Sequence, residues 1–257
     1  MKKIFFILVI LVVIAGGITA YSMYSNSQKV KTEFMDIVEK SFNVRERGIK
    51  SYTITIVEKT DGDVSKSTNI HEVDIENGVA KLVGQDIQDG VPYESVSYEK
   101  LLKDDGSRIE YQRYFDDNYE TKWHKNEIDL DGVYTGEDED YYYFDIELGL
   151  NVEDTEKVKE IESDVEGTRK FEVTMTKEYT DFMYDADDEK VIGKEKYIAY
   201  VKDGYLYKVF WDIASYVDED DISVHTIETE INGINTTKVE LTDEVLNNVA
   251  QNPNWEY

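Results

Sequence analysis

Cysteine is absent from the 257 residues, and histidine and proline are scarce, at three and two. Without cysteine there is no disulfide scaffold, no thiol nucleophile and no cysteine-rich zinc site. A lipoprotein anchor is excluded as well, because its acyl chains need a cysteine to carry them. Positive charge is also short: 28 Lys and Arg stand against 56 Asp and Glu, a net charge of −28. Such a surface repels phosphate backbones, so nucleic acid is not an expected partner. The histidines, His71, His124 and His225, lie in or at the ends of alternating segments, with no carboxylate or histidine beside them at metal-ligand spacing. G-x-S-x-G, H-E-x-x-H and glycine-rich phosphate loops are missing too. The sequence therefore offers no catalytic residue, no metal ligand set and no cofactor, and the expectation is a protein that is not an enzyme. The three histidines are expected to lie apart.

What is present is enough for a core: 40% of residues are hydrophobic and 12% aromatic, against 33% charged. The length suits one domain of about 200–230 residues with extras. Lys2 and Lys3 precede Ile4–Ile14, eleven unbroken apolar residues, and the next charge is Lys29. A basic start before an apolar run is an export signature. Two readings stay open. Ile18 and Ala20 form a tolerable pair for cleavage after Ala20. Left uncut, Ile4–Tyr24 is 21 residues. At about 1.5 Å per residue it reaches ~31 Å, close to the ~30 Å hydrocarbon core of a bilayer. Residues 1–28 are thus read as a signal peptide or a signal-anchor transmembrane helix, and 29–257 as an extracytoplasmic domain. That domain is expected at the cell membrane, on its outer side, or secreted if cleavage occurs.

A stripe at Val30, Phe34, Ile37, Val38 and Phe42 predicts a helix over Lys29–Lys50, ended by Gly48. From Ser51 the period becomes two. Strands are predicted around Tyr52–Ile56, Ile70–Glu76, Val79–Val83, Tyr93–Glu99, Ser107–Phe115 and Tyr119–His124. Asn77-Gly78 is read as a two-residue turn with both residues at positive φ. Glu127–Asp140 reads as an acidic loop, and Tyr141–Leu150 as a short helix or hydrophobic loop packed on the sheet. Further strands are expected at Val158–Ser163, Lys170–Glu178, Lys194–Val201, Tyr205–Ile213, Ile222–Ile231 and Lys238–Leu241, with turns at Glu166-Gly167 and Asp203-Gly204. Asp181–Glu189 and Asp218–Asp221 read as acidic loops, and Thr242 as the cap of a short terminal helix. No repeat and no Pro/Gly/Ser linker divides the chain. The expected architecture is an antiparallel meander with helices on one face, an α+β fold.

Two acidic stretches, Asp129–Asp131 and Asp185–Glu189, carry hard oxygen ligands but not the spacing of a calcium loop. They read as solvated loops or, alternatively, weak cation sites. Twenty tyrosines crowd the strands, among them Tyr111, Tyr114, Tyr119, Tyr141, Tyr142, Tyr143, Tyr197, Tyr200, Tyr205 and Tyr207. Tyrosine suits a surface with one apolar and one wet side. An aromatic concave face would line an apolar pocket, or would simply be the core beneath the N-terminal helix.

The order of elements, with the hairpins "KVKEIESDVEGTRKFEVTMTKE" and "KYIAYVKDGYLYKVFWDI" and the closing segment "INGINTTKVELTDEVLNN", resembles the LolA/LppX-like superfamily of bacterial envelope proteins in its surface-anchored form. The residues that carry the resemblance are Asp203-Gly204 before Lys208-Val209, then Ile234, Asn235, Val239 and Leu241. Ala20-Tyr21-Ser22 stands where such proteins have a lipid-bearing cysteine. The resemblance implies a strongly curved half-barrel of antiparallel strands with helices packed on its concave side, and no enzymatic residues. It implies a non-catalytic binding module for a lipid or other lipophilic ligand. The alternative is an envelope sensor or protein-interaction module without a bound small molecule. No ligand-binding residue is singled out by either reading.

Overall fold

In the computed structural model of the chain the described residues are 27–250, except 45, 62–65, 89–90, 103–107, 116–120, 129–145, 147, 149, 151, 185–189, 219–222 and 248. The apolar stripe forms helix α1 at residues 27–42. It stops short of the predicted Lys50 because the Asn43 side chain accepts from the Glu46 N–H (2.8 Å) and starts a separate turn. Gly48, at φ +61, then redirects the chain.

Six strands follow: β1 Ser51–Thr60, β2 Lys66–Asp74, β3 Val79–Gln88, β4 Val91–Leu101, β5 Arg108–Phe115 and β6 Thr121–Ile128. After the middle segment come β7 Thr155–Ile161, β8 Thr168–Met175, helix α2 Lys177–Tyr184, β9 Lys190–Val191, β10 Lys196–Lys202, β11 Tyr205–Asp212, β12 Val217–Asp218 and β13 His225–Asn232. Helix α3 Asp243–Asn247 and β14 Val249–Ala250 close the described chain. Twelve strands form one sheet in the order β14-β6-β5-β4-β3-β2-β1-β13-β11-β10-β8-β7, while β9 and β12 pair apart from it. The neighbours are antiparallel except β14, which runs parallel to β6.

The tight turns follow from residue chemistry. Asp203 and Gly204 both take positive φ, +53 and +83, as a two-residue hairpin with right-handed strand twist requires. The Asn77-Gly78 expectation needs correction. Only Gly78 is at positive φ, +62, and the loop is the four residues between Asp74 and Val79. The Asp74 carboxylate holds that loop by accepting from the Asn77 backbone (3.2 Å) and side-chain N–H (2.8 Å). Lys238–Leu241 is not a strand, and a helix stands where the second hairpin strand was expected to run on into an acidic loop. Of Tyr141–Leu150, the described Ile146 and Leu148 are buried in the core and lie in neither helix nor strand. Thr242 does cap α3, its hydroxyl accepting from Val245 N (3.4 Å).

The cross-strand register shows that the sheet changes its apolar side. In β1, β13, β11, β10, β8 and β7 the residues under α1 are apolar: Tyr52, Ile54, Ile231, Val209, Ala199, Phe171, Val173 and Val158 pack with Phe34, Ile37 and Val38. Following the same face outward, Ile54 is opposite His71, then Leu82, Ser97, Gln112 and His124. That half of the face is polar. Its large aromatic residues point the other way: Tyr98, Tyr111 and Trp123 cluster with Val79, and the C-terminal Val239 and Val245 cover them.

The expected α+β half-barrel, with helices on a concave side and an N-terminal membrane helix, is therefore corrected. Among the described residues the protein is an open, mostly antiparallel sheet with β7 and β14 as its outermost strands. The reason lies in the split: a half-barrel needs one continuous apolar interior, and here a large core lies under α1 and a smaller one on the opposite side of the other strands. Among the described residues no helix is long and apolar enough to cross a membrane. Residues 4–24, where a span was expected, lie outside the described residues.

Candidate functional site

The first place to look is the face beneath α1, where an aromatic pocket was expected. The protein's own side chains occupy it. Phe34 and Phe171 are fully buried, with ring centroids 5.1 Å apart. The helix is also stitched down by polar contacts. Ser41 Oγ donates to the Ile37 carbonyl (2.5 Å) and accepts from Leu206 N (2.8 Å), so one hydroxyl serves both helix and strand. Lys31 donates to the Thr155 carbonyl, and Arg169 bridges Glu33 on α1 (2.6 Å) and Glu160 on β7 (2.8 Å). Of the tyrosines expected on a concave lining, Tyr197 is buried in this core, whereas Tyr111 belongs to the opposite face. The side chain of Tyr114, and Tyr119 and Tyr141–Tyr143 altogether, lie outside the described residues.

A polar cleft of about 250 Å³ opens between the start of β1, the β2–β3 loop and the segment after β13. Lys50, Asp74, Glu76, Asn77, Asn235 and Lys238 line it. Its groups are largely engaged with one another. Lys50 pairs with Glu76 (3.1 Å), Asp74 holds Asn77, and Asn235 Oδ1 accepts from Lys50 N (2.6 Å). Asn235 sits at φ +58, a conformation that asparagine tolerates better than most side chains. This cleft ties the chain's C-terminal third to β1 and leaves few groups to converge on a ligand.

The histidines do not meet. His71 is on β2 and His124 on β6, with β3, β4 and β5 between them, and His225 is on β13 beyond β1. Burial lowers the His71 pKa against the opposing pull of Glu99. His225 Nε2 lies 2.9 Å from Glu58 Oε1. Among the described residues no cluster of His, Asp or Glu could hold a metal ion. The acidic stretches 129–131 and 185–189 lie outside them.

The most distinctive site is the shelf formed by α2. Thr176 caps the helix, accepting from Tyr179 N (3.2 Å). The fully buried Thr180 donates back to the Thr176 carbonyl (3.0 Å) and accepts from Glu195 N (2.8 Å), which pins α2 to the start of β10. Below it the Glu195 carboxylate is buried and accepts from Trp211 Nε1 (3.3 Å). Burial pushes the Glu195 carboxyl up, and the Trp211 hydrogen bond opposes this only in part. The Tyr197 ring packs obliquely against Trp211 at 5.8 Å, and its hydroxyl is buried. Burial and the neighbouring Glu195 push that hydroxyl's pKa up.

The upper side of the shelf is apolar and open. Phe182 is 80% exposed and Met183 47%. Ile192, which follows the strand that α2 touches, is 57% exposed. Sequence reading missed these residues because the acidic run from Asp181 hid the helix. The signal was Thr176 as a cap with Glu178 in the first turn.

No family model matches the chain, and no curated protein matches it.

Proposed function

We propose that the chain is a non-catalytic interaction module of the cell envelope that acts on a protein partner through its outer surface. The observation that carries this reading is the filled face under α1, where the chain's own Phe34, Ile37, Val38 and Phe171 occupy the space that a lipophilic ligand would need. The separated histidines and the internally paired cleft support a binding role rather than a catalytic one. The basic-then-apolar N-terminus supports export, with the acidic domain outside and the segment either retained or cut after Ala20.

Native mass spectrometry of the full chain tests the reading. The expected result is the mass of the polypeptide alone. A co-purified lipid that survives gentle desolvation would remove it. Cross-linking in intact cells is expected to yield protein adducts that disappear when the outer surface is altered.

A further inference from the structure

We infer that the side of β7, β8 and β10 turned away from α1 docks a short acidic segment of a partner protein that also carries apolar side chains. This rests on the reading of the chain as an interaction module and adds where it binds and what it fits. Alternation along the strands settles which residues share that side. Val158, Phe171, Val173, Tyr197, Ala199 and Val201 are buried under α1. The residues between them therefore point the other way: Lys157, Lys159, Lys170, Lys196 and Lys202, with the Glu172 carboxylate set among them. Register brings them together, since Lys157 and Lys196 both lie opposite Thr174, and Lys159 lies opposite Glu172. At about 4.8 Å between strands, Lys157 and Lys196 stand roughly 10 Å apart. Four of the five lysines are exposed. Lys170 is paired with Asp164 (2.8 Å), whereas Lys157, Lys159 and Lys196 make no ion pair among the described residues. Glu156, at the register shift in β7, is engaged by Lys194.

Charge selects the occupant. Carboxylates outnumber basic residues in the chain by 56 to 28, so lysines gathered on one side of three adjacent strands run against its composition. Among the described residues the cover on this side of the sheet is the C-terminal segment, which lies over Tyr98, Tyr111 and Trp123 of β4–β6. Beside the lysines Ile198 lies opposite Phe210, both half-buried, and this pair is an apolar step for a partner's side chain. An anionic bilayer or a long anionic polymer would extend past the three strands onto a molecule of net −28, which repels it. A second copy would bring a further −28. A short acidic segment stays within the patch. With a screening length of about 8 Å in physiological salt, its carboxylates feel the lysines rather than the distant charges. Its apolar side chains cover Ile198 and Phe210.

The test uses the full chain and a fluorescein-labelled peptide of alternating Glu and Leu, followed by anisotropy at about 0.15 M salt. Binding is expected in spite of the net charge of −28, and Lys159→Gln with Lys196→Gln is expected to weaken it by about tenfold or more. Lys100→Gln removes one charge from an exposed residue of β4, six strands along the sheet from β10, and should leave binding unchanged. Ile198→Thr keeps a β-branched residue in the strand and should weaken binding by about threefold or more. Unchanged binding in the lysine variant or in Ile198→Thr, equal weakening by Lys100→Gln, or no binding at ~100 µM peptide overturns the docking site. So does a dimer in sedimentation, or binding to phosphatidylglycerol vesicles, that the lysine changes abolish. Any of these outcomes leaves the wider interaction reading standing, whereas co-purified lipid removes that reading itself.

Discussion

At the scale of single residues, two buried polar groups carry more of the architecture than their size suggests. Ser41 is fully buried, and its hydroxyl is the partner of the Leu206 backbone N–H. Ser41→Ala leaves that donor buried and unpaired, and a loss of about 1–3 kcal/mol in chemical denaturation is expected. Glu195 gives a pH signature. Its carboxyl is raised by burial, so the folded state holds the proton more tightly than the unfolded chain. Its contribution to stability is greatest below the unfolded carboxyl range and is lost as pH rises through the folded value. Glu195→Gln keeps an acceptor for Trp211 and removes the ionisation. Denaturation midpoints of the two proteins should nearly agree in acid, with the variant becoming the more stable one toward neutral pH. A difference that stays constant over about pH 4 to 8 would show that Glu195 holds its proton no more tightly in the folded than in the unfolded chain.

At the scale of elements, the β7 edge shows how the open sheet stays single. Glu156-Lys157-Val158-Lys159-Glu160 reads the same in both directions. An antiparallel pairing of two copies centred on Val158 would set lysine opposite lysine and glutamate opposite glutamate, which disfavours it. The register shift between Thr155 and Lys157 disturbs the edge further. Lys157→Thr with Lys159→Thr removes half of that protection and is expected to produce concentration-dependent growth in light scattering where the parent stays constant. Elements of this kind were legible from sequence when their cause was local. The Asp203-Gly204 hairpin and the Thr242 cap depend on neighbours a few residues away. The β2–β3 loop was misjudged because Asp74 captures Asn77 with both carboxylate oxygens, a side-chain contact that the Asn-Gly pair does not announce. Helix α2 was hidden by the acidic run from Asp181, and its hold on the sheet comes from Glu195 N donating to Thr180, a contact fifteen residues along the chain.

For the whole molecule, the decisive property is the exchange of apolar sides between its two halves. Period-two patterning tells which residues share a face, so Ile109, Tyr111 and Trp123 were visible as strand residues with apolar sides. It does not tell which side of the sheet they occupy or what covers them, because that depends on register summed across strands and on a segment more than a hundred residues later. The shelf at Phe182 was illegible for a related reason: exposure is a property of the assembled surface, not of the residue. The two-sided core makes a prediction of its own. Val245, 1% exposed, belongs to the cover over Tyr98, Tyr111 and Trp123. Val245→Asp buries an unpaired charge there and should cost ~3 kcal/mol or more. Hydrogen exchange should then quicken across β3–β6 while β8, β10 and β11, beneath α1, keep their protection.

The meander β1–β6 is joined to the later strands of the sheet by the pairing of β1 with β13, where Thr53 lies opposite Asn232. This sets a timetable for the newborn chain. Strand β1 is made early, yet the neighbour on one of its sides arrives only when nearly the whole sequence is out. Until then β1 and β2 hold an uncovered edge, and α1 has only part of its bed. Closing so long a loop is entropically slow, which places the assembly of this sheet among reactions of milliseconds to seconds rather than microseconds. A secreted or translocated chain built this way spends its passage unfinished, and whatever escorts it must tolerate, or shield, a waiting strand.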